Sequence, residues 1–308
     1  MLEVNISDLN LKTPIILASG ILGVSFSTMK RVINAGIGAI TTKSIGPKAR
    51  KGYKNPSIIE ISPGTFLNCV GLANPGIDNF IREIEEIKLL GFPLIVSIFG
   101  ETIESYLEVA LKAEKAGADA LELNISCPHA EVCSIGIDKN LTHSLVAELK
   151  ESIDIPIFVK LTPNVTDINE IALAAEKAGA DAVVAINTVN AMVIDINVKG
   201  PILSHGSGGM SGKGIHPIAV KIVYDLYKVL KIPIIACGGV YNWKDAAEFL
   251  LAGASAFQIG TALYQGFDFI SQMNQNLIKY LERENLSHID NLIGLAHKWK
   301  VQEVPDLE

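Results

Sequence analysis

The stretch AEKAGADALELN (residues 113–124) returns almost unchanged as AEKAGADAVVAIN (175–187). Each copy carries the same three signals in the same order. The AEKA segment reads as the end of a helix. The AG pair reads as its stop, because glycine just past a helix end takes positive φ at little cost. The apolar run that follows reads as a buried strand. Two looser copies, INAGIGAITTK (33–43) and LLAGASAFQIG (250–260), keep that order. A helix that feeds a strand, repeated along the chain, predicts parallel strands joined by helices.

Working outward from these copies predicts strands at 14–20, 38–43, 93–99, 119–124, 156–161, 181–187, 233–239 and 255–260. Amphipathic helical stretches fall at 102–116, 141–152, 167–178, 215–230 and 243–252. Eight strand–helix units in about 250 residues predict an α/β fold of the TIM (β/α)8 barrel type. The alternative, a doubly wound open sheet, lacks a GxGxxG after its first strand. LEVNISDLNLK (2–12) predicts a small N-terminal β-hairpin at the bottom of the barrel. Stretches 44–80 and 188–214 are too long for ordinary strand–helix loops and predict functional loops over the C-terminal face. With no linker or low-complexity segment, residues 1–308 read as a single domain.

Composition narrows the partners. Apolar runs such as FPLIVSIF (92–99) are too short for a membrane span of about 20 residues. The opening MLEVNISDLN has no basic segment followed by an apolar one, so no secretory signal is expected. A net charge of −7 without a basic cluster argues against nucleic acid. Cys69, Cys127, Cys133 and Cys237 form no CxxC, so no zinc or iron–sulfur site is expected in this chain. The default setting is reducing and cytoplasmic.

In a barrel of this type the strand C-termini build the active site. Read in order, they carry Ser19-Gly20, Lys43-Ser44, Ser97, Asn124, Lys160, Asn187-Thr188, Gly238-Gly239 and Gly260-Thr261. The glycine pairs follow strands seven and eight, where barrel enzymes bind phosphate on backbone N–H groups. As a bare pattern they also suit tight turns. A third glycine cluster, HGSGGMSGKG (205–214), can add donors or serve as a plain loop. Lys160 interrupts an apolar strand, and a buried lysine needs an anion. It reads as a cation beside an anionic cofactor, as a Schiff-base lysine, or as a strand-tip lysine reaching solvent. Lys43 has the same alternatives. Asn124 and Asn187 suit the edge of an imide or amide ring, or cap turns. Cys127, at a strand mouth beside Pro128, suits a thiol base. Cys69 and Cys133 read as ordinary loop residues, and Cys237 as packing at a strand end.

NCVGLANPG (68–76), LNISCP (123–128), FVKLTPN (158–164), INT (186–188), GSGGMSG (206–212), CGGV (237–240) and IGTAL (259–263) together resemble the class 1 dihydroorotate dehydrogenases. Cysteine rather than serine in NISCP points to class 1. The length and GLANPG resemble class 1B, the NAD-linked catalytic subunits. The resemblance spans nearly the whole chain. It implies oxidation of (S)-dihydroorotate to orotate in pyrimidine synthesis, on one FMN per chain. Cys127 would remove the C5 proton while the C6 hydride passes to flavin N5. Lys43, Asn68, Gly71, Leu72, Asn124, Asn187 and Thr188 would bind substrate. Ser19, Lys43, Ser44, Asn124, Lys160, Ile186, Gly212, Gly238, Gly239, Gly260 and Thr261 would bind FMN. The resemblance also implies a homodimer core within a heterotetramer, whose electron-transfer subunit carries FAD and a 2Fe–2S cluster. Residues 129–140 are expected to act as a lid. Ser97 and His129 stand where the family commonly has asparagine. A fumarate-linked class 1A enzyme and a dihydropyrimidine dehydrogenase-like flavin barrel stay open as alternatives.

Overall fold

The computed structural model of the chain describes residues 1–125 and 135–299. Eight strands are Ile15–Leu17 (β1), Ala39–Thr41 (β2), Leu94–Ile98 (β3), Ala120–Asn124 (β4), Ile157–Leu161 (β5), Ala182–Ala185 (β6), Ile234–Cys237 (β7) and Ala256–Ile259 (β8). They pair in parallel and in chain order to form a closed barrel, with the seam between β8 and β1 set by Phe257 opposite Ile15. All eight strands lie inside the spans expected from the sequence. Strands covered on both sides need continuous apolar runs, and every residue of β1 through β6 is buried.

The repeated AG signal does what its chemistry predicts. Gly36, Gly117, Gly179 and Gly253 have φ of +95°, +102°, +96° and +120° at the stops of their helices. The helix Ile103–Ala116 illustrates both of its ends. Thr102 and Ser105 form a reciprocal capping box at its start, and the left-handed Gly117 ends it. Between them Tyr106, Val109, Ala110, Ala113 and Ala116 bury one face at helical spacing against the barrel.

The helix Phe26–Asn34 was foreseen only at its end, before Gly36, and Ile77–Lys88 and Asp268–Arg283 were not foreseen. Glycine, serine and asparagine near the first two gave loop signals stronger than the helical period. The helix at Ile77 also shortens the first long loop. The N-terminal hairpin forms as expected, Val4–Ile6 against Leu9–Leu11, and its alternate residues join the main core. Among the described residues no helix is long and apolar enough to cross a membrane.

The two long loops were expected over the C-terminal face, but not their structure. They combine into one antiparallel sheet in the order Val189–Ala191, Gly208–Gly212, Thr65–Asn68, Ile58–Ser62. Residues from opposite halves of the chain thus form a roof with its own small core of Leu67, Cys69 and Leu203. Cys69 is therefore buried packing, which corrects its reading as an ordinary loop residue.

Candidate active site

Between barrel mouth and roof lies a cavity of about 780 Å³, within the usual range for small-molecule sites. Ser19, Lys43, Ser44, Asn124, Lys160, Ile186, Asn187 and Thr188 reach it from the barrel and its loops. Asn68, Gly71, Leu72 and Gly212 reach it from the roof, and Gly238, Gly239, Gly260 and Thr261 from the last two strand ends. Every expected site residue except Cys127 thus lines one cavity. Cys127, Cys133, His129 and residues 129–134 of the expected lid lie outside the described residues. The remainder, 135–140, is a short 3-10 turn at Ile135–Ile137 leading into the next helix.

The barrel side of the cavity is a connected polar chain. The Ser44 hydroxyl lies 3.2 Å from that of Ser19 and 3.0 Å from that of Ser97, and it accepts from Asn124 Nδ2 at 3.0 Å. Asn187 Nδ2 donates to Asn124 Oδ1 at 3.3 Å, and Thr188 N–H donates to Asn187 Oδ1 at 2.8 Å. Ser97 is fully buried and stands behind Ser44, so it orders the wall rather than forming it. That corrects its placement at the mouth.

Behind Asn124, the buried Tyr106 hydroxyl donates to the Asn124 carbonyl at 2.8 Å. Replacing Tyr106 with phenylalanine removes that buried hydrogen bond. The expected cost is about 1–3 kcal/mol, read as a lower melting temperature.

The charges are one-sided. The described wall holds two lysines, Lys43 and Lys160, and no carboxylate. Lys43 makes no ion pair with any described residue, and burial pulls its ammonium below the ordinary lysine range. A bound anion would offset that effect of burial.

Lys160 is 5% exposed, which rules out the solvent-reaching tip. Burial pushes its ammonium down, but the charges of Cys237 and Glu122 push it up and prevail. Burial also lifts the Cys237 thiol, which the Lys160 charge opposes. Lys160 Nζ lies 3.6 Å from Glu122 Oε1 and donates to Gln258 Oε1 at 2.9 Å.

Glu122 and Gln258 were missed in the sequence. Each sits mid-strand with an even spacing to a cavity residue, Asn124 and Gly260, so the period of two already placed them inside the barrel. Asn164 was also missed as a site residue. It lines the cavity, donating to the Thr188 carbonyl at 3.0 Å and accepting from Asn190 N–H at 2.9 Å.

The far end is built of backbone. Gly212, Gly238 and Gly239 have φ of +86°, +142° and +75°. A Cβ on Gly239 would stand 2.7 Å from both the Gly212 carbonyl oxygen and His216 Cβ. His216 Nδ1 lies 3.1 Å from the Gly238 oxygen, and its Nε2 lies 3.0 Å from Glu248 Oε2, which braces this loop. Glycine here lets main chain converge where no side chain fits.

Residues 1–281 match the family model described as dihydroorotate dehydrogenase. The chain belongs to the dihydroorotate dehydrogenase family. Relatives within the family agree along nearly the full length. One from Pyrococcus horikoshii is 50% identical, covering 97% of this chain and 98% of its own. One from Methanocella arvoryzae is 48% identical, covering 96% and 97%. Both are named dihydroorotate dehydrogenase B (NAD(+)), catalytic subunit, in line with the class 1B resemblance. A crystal structure of a family member from Eimeria tenella, in complex with ferulenol, superposes with a TM-score of 0.83 at 22% identity. It covers 97% of this chain and 89% of that one, and shares the fold.

Proposed function

We propose that this chain is the catalytic subunit of an NAD-linked dihydroorotate dehydrogenase, oxidising (S)-dihydroorotate to orotate in pyrimidine synthesis. The observation that carries this reading is the 46–50% identity, over nearly the whole chain, to proteins named as that subunit. The cavity supports it. An acidic dihydropyrimidine suits a wall with two lysines, amide side chains and no described carboxylate.

The same donor set fits FMN. The left-handed glycines 212, 238 and 239 leave a backbone cradle for its phosphate, with Gly260 and Thr261 beside it. Ser19, Lys43, Ser44, Asn124, Lys160 and Ile186 would hold the remainder. FMN, when bound, supplies a hydride acceptor. Lys160 offers positive charge within a wall shielded from water. Lys43, Asn68, Gly71, Leu72, Asn124, Asn187 and Thr188 orient the substrate. Lys43 pairs its carboxylate, and the asparagine amides match donors and acceptors on the ring edge. Cys127 is the base that takes the substrate proton.

With no cysteine framework for a cluster, the chain would pass electrons to a partner subunit carrying FAD and 2Fe–2S. We place it as one domain, in a homodimer core of a heterotetramer, in the cytoplasm.

The visible spectrum of the purified chain tests this reading. Flavin bands that bleach when dihydroorotate is added without oxygen are the expected result. Bands bleached by dihydrouracil but not dihydroorotate would move the substrate to neutral dihydropyrimidines. A protein colourless even after FMN is added would overturn the proposal.

A further inference from the structure

TIM barrels ordinarily fill their interior with branched apolar side chains. Here one interior layer is polar and charged. Glu122 on β4 is 0% exposed and stands off the cavity wall, whereas Lys160 and Gln258 reach it. Gln258 bridges the other two. Its Oε1 accepts from Lys160 Nζ at 2.9 Å, and its Nε2 donates to Glu122 Oε2 at 2.6 Å. Nε2 also lies 3.4 Å from Thr41 Oγ1. Glu122 Oε1 has no hydrogen-bond donor and faces Lys160 Nζ at 3.6 Å.

A half-bonded buried carboxylate is costly, and a well-packed apolar residue would often serve stability better. The geometry gives it another use. At 3.6 Å the carboxylate attracts the ammonium beyond hydrogen-bond length. It therefore favours the charged form without occupying an N–H that can point into the cavity.

We propose that Glu122 is a positioning residue: its carboxylate, braced by the Gln258 amide, keeps the Lys160 side chain a cation aimed at the bound anion. Without Glu122, less charge opposes the effect of burial, so Lys160 holds its proton less tightly, and a neutral amine stabilises no anion. The identity of that anion as FMN rests on the function proposed above; the charge state of Lys160 does not. The other groups facing Lys160 are few. Cys237 comes from β7, while β8 and β2 present the neutral Gln258 and Thr41. Lys43 is the second cation of the wall.

The test measures FMN affinity by fluorescence quenching across pH ~6–10, spanning neutrality to the lysine range, for wild type, Glu122→Gln and Glu122→Gln/Lys160→Met. The wild-type profile is the baseline and includes any fall from Lys43, whose proton burial loosens. In Glu122→Gln the affinity should begin to fall at lower pH than in wild type, by about tenfold per pH unit once the proton is lost. The double variant should bind weakly without that early fall. A Glu122→Gln profile that superposes on wild type, or an early fall that survives loss of Lys160, overturns the proposal. A second measurement needs no FMN. In lysine-labelled protein, the side-chain NMR signal that Lys160→Met removes should still be protonated in wild type after the unpaired exposed lysines have titrated; Lys112, paired with Asp78 and Glu108, is set aside. Finding that signal already deprotonated would overturn the proposal even if Glu122→Gln fails to fold. A chain that binds no FMN would sink the function reading, and the NMR titration of Lys160 in wild type against Glu122→Gln would still decide the role of Glu122.

Discussion

Lys160→Met should lower folding stability by about 3–5 kcal/mol, although methionine fills the same space. The loss arises because Glu122 is left as a charge buried in the barrel with no counter-ion. Glu122→Gln should also cost stability, but less, because Lys160 can give up its proton rather than stay an unpaired charge. Combining the two changes should recover most of the loss, because a neutral pair in the same place carries no unpaired charge. Melting temperatures of the four proteins close the cycle. Additive losses would show that the two side chains do not stabilise one another. The pH dependence has a defined sign. The folded state holds the Lys160 proton more tightly than the unfolded chain does. The pair's contribution is therefore complete at neutral pH and is lost only as pH rises beyond the ordinary lysine value.

Gly239→Ala should damage both folding and ligand binding. Its φ of +75° costs a residue with a Cβ about 1–2 kcal/mol. The overlap with the Gly212 oxygen and His216 adds about 1–3 kcal/mol, because backbone must shift on one side. That shift breaks the cradle, so FMN affinity should fall roughly ten- to hundredfold for each charged hydrogen bond lost. Gly91→Ala is the matched control. Gly91 has φ +64° and nothing within 4 Å of its would-be Cβ, so it reports the backbone term alone. Equal melting losses in the two variants, with FMN affinity retained in Gly239→Ala, would refute the cradle.

The barrel was legible because its signals are local. Apolar runs bounded by AG or by proline mark strands wherever they stand, and all eight were found that way. Most of the helix at 26–34 and the whole of that at 77–88 were not, because serine, glycine and asparagine near them mimic loop chemistry. The roof was illegible for a different reason. Its strands are short, and the hairpin Ile58–Ser62 with Thr65–Asn68 pairs with the glycine-rich Gly208–Gly212 far along the chain, which no local window contains. The cavity wall was legible residue by residue, since barrel geometry brings strand ends together. The layer beneath was not. Glu122 looks like any isolated charge until Lys160 is seen on the neighbouring strand and Gln258 on a strand across the barrel. The asymmetry is physical: a strand end announces itself by position, whereas a buried pair is defined only once its strands lie side by side.

The roof has a consequence for the order in which the molecule is built. Asn68 donates to the Gly209 carbonyl from 141 residues away along the chain. That contact gains nothing until the intervening strands have brought its ends near each other, because a loop of that length is costly to close in advance. A nascent chain with five or six strands formed has a barrel wall in progress and no binding site. The pocket is a late product of assembly, and a ligand that fits it can favour only molecules that have already finished folding.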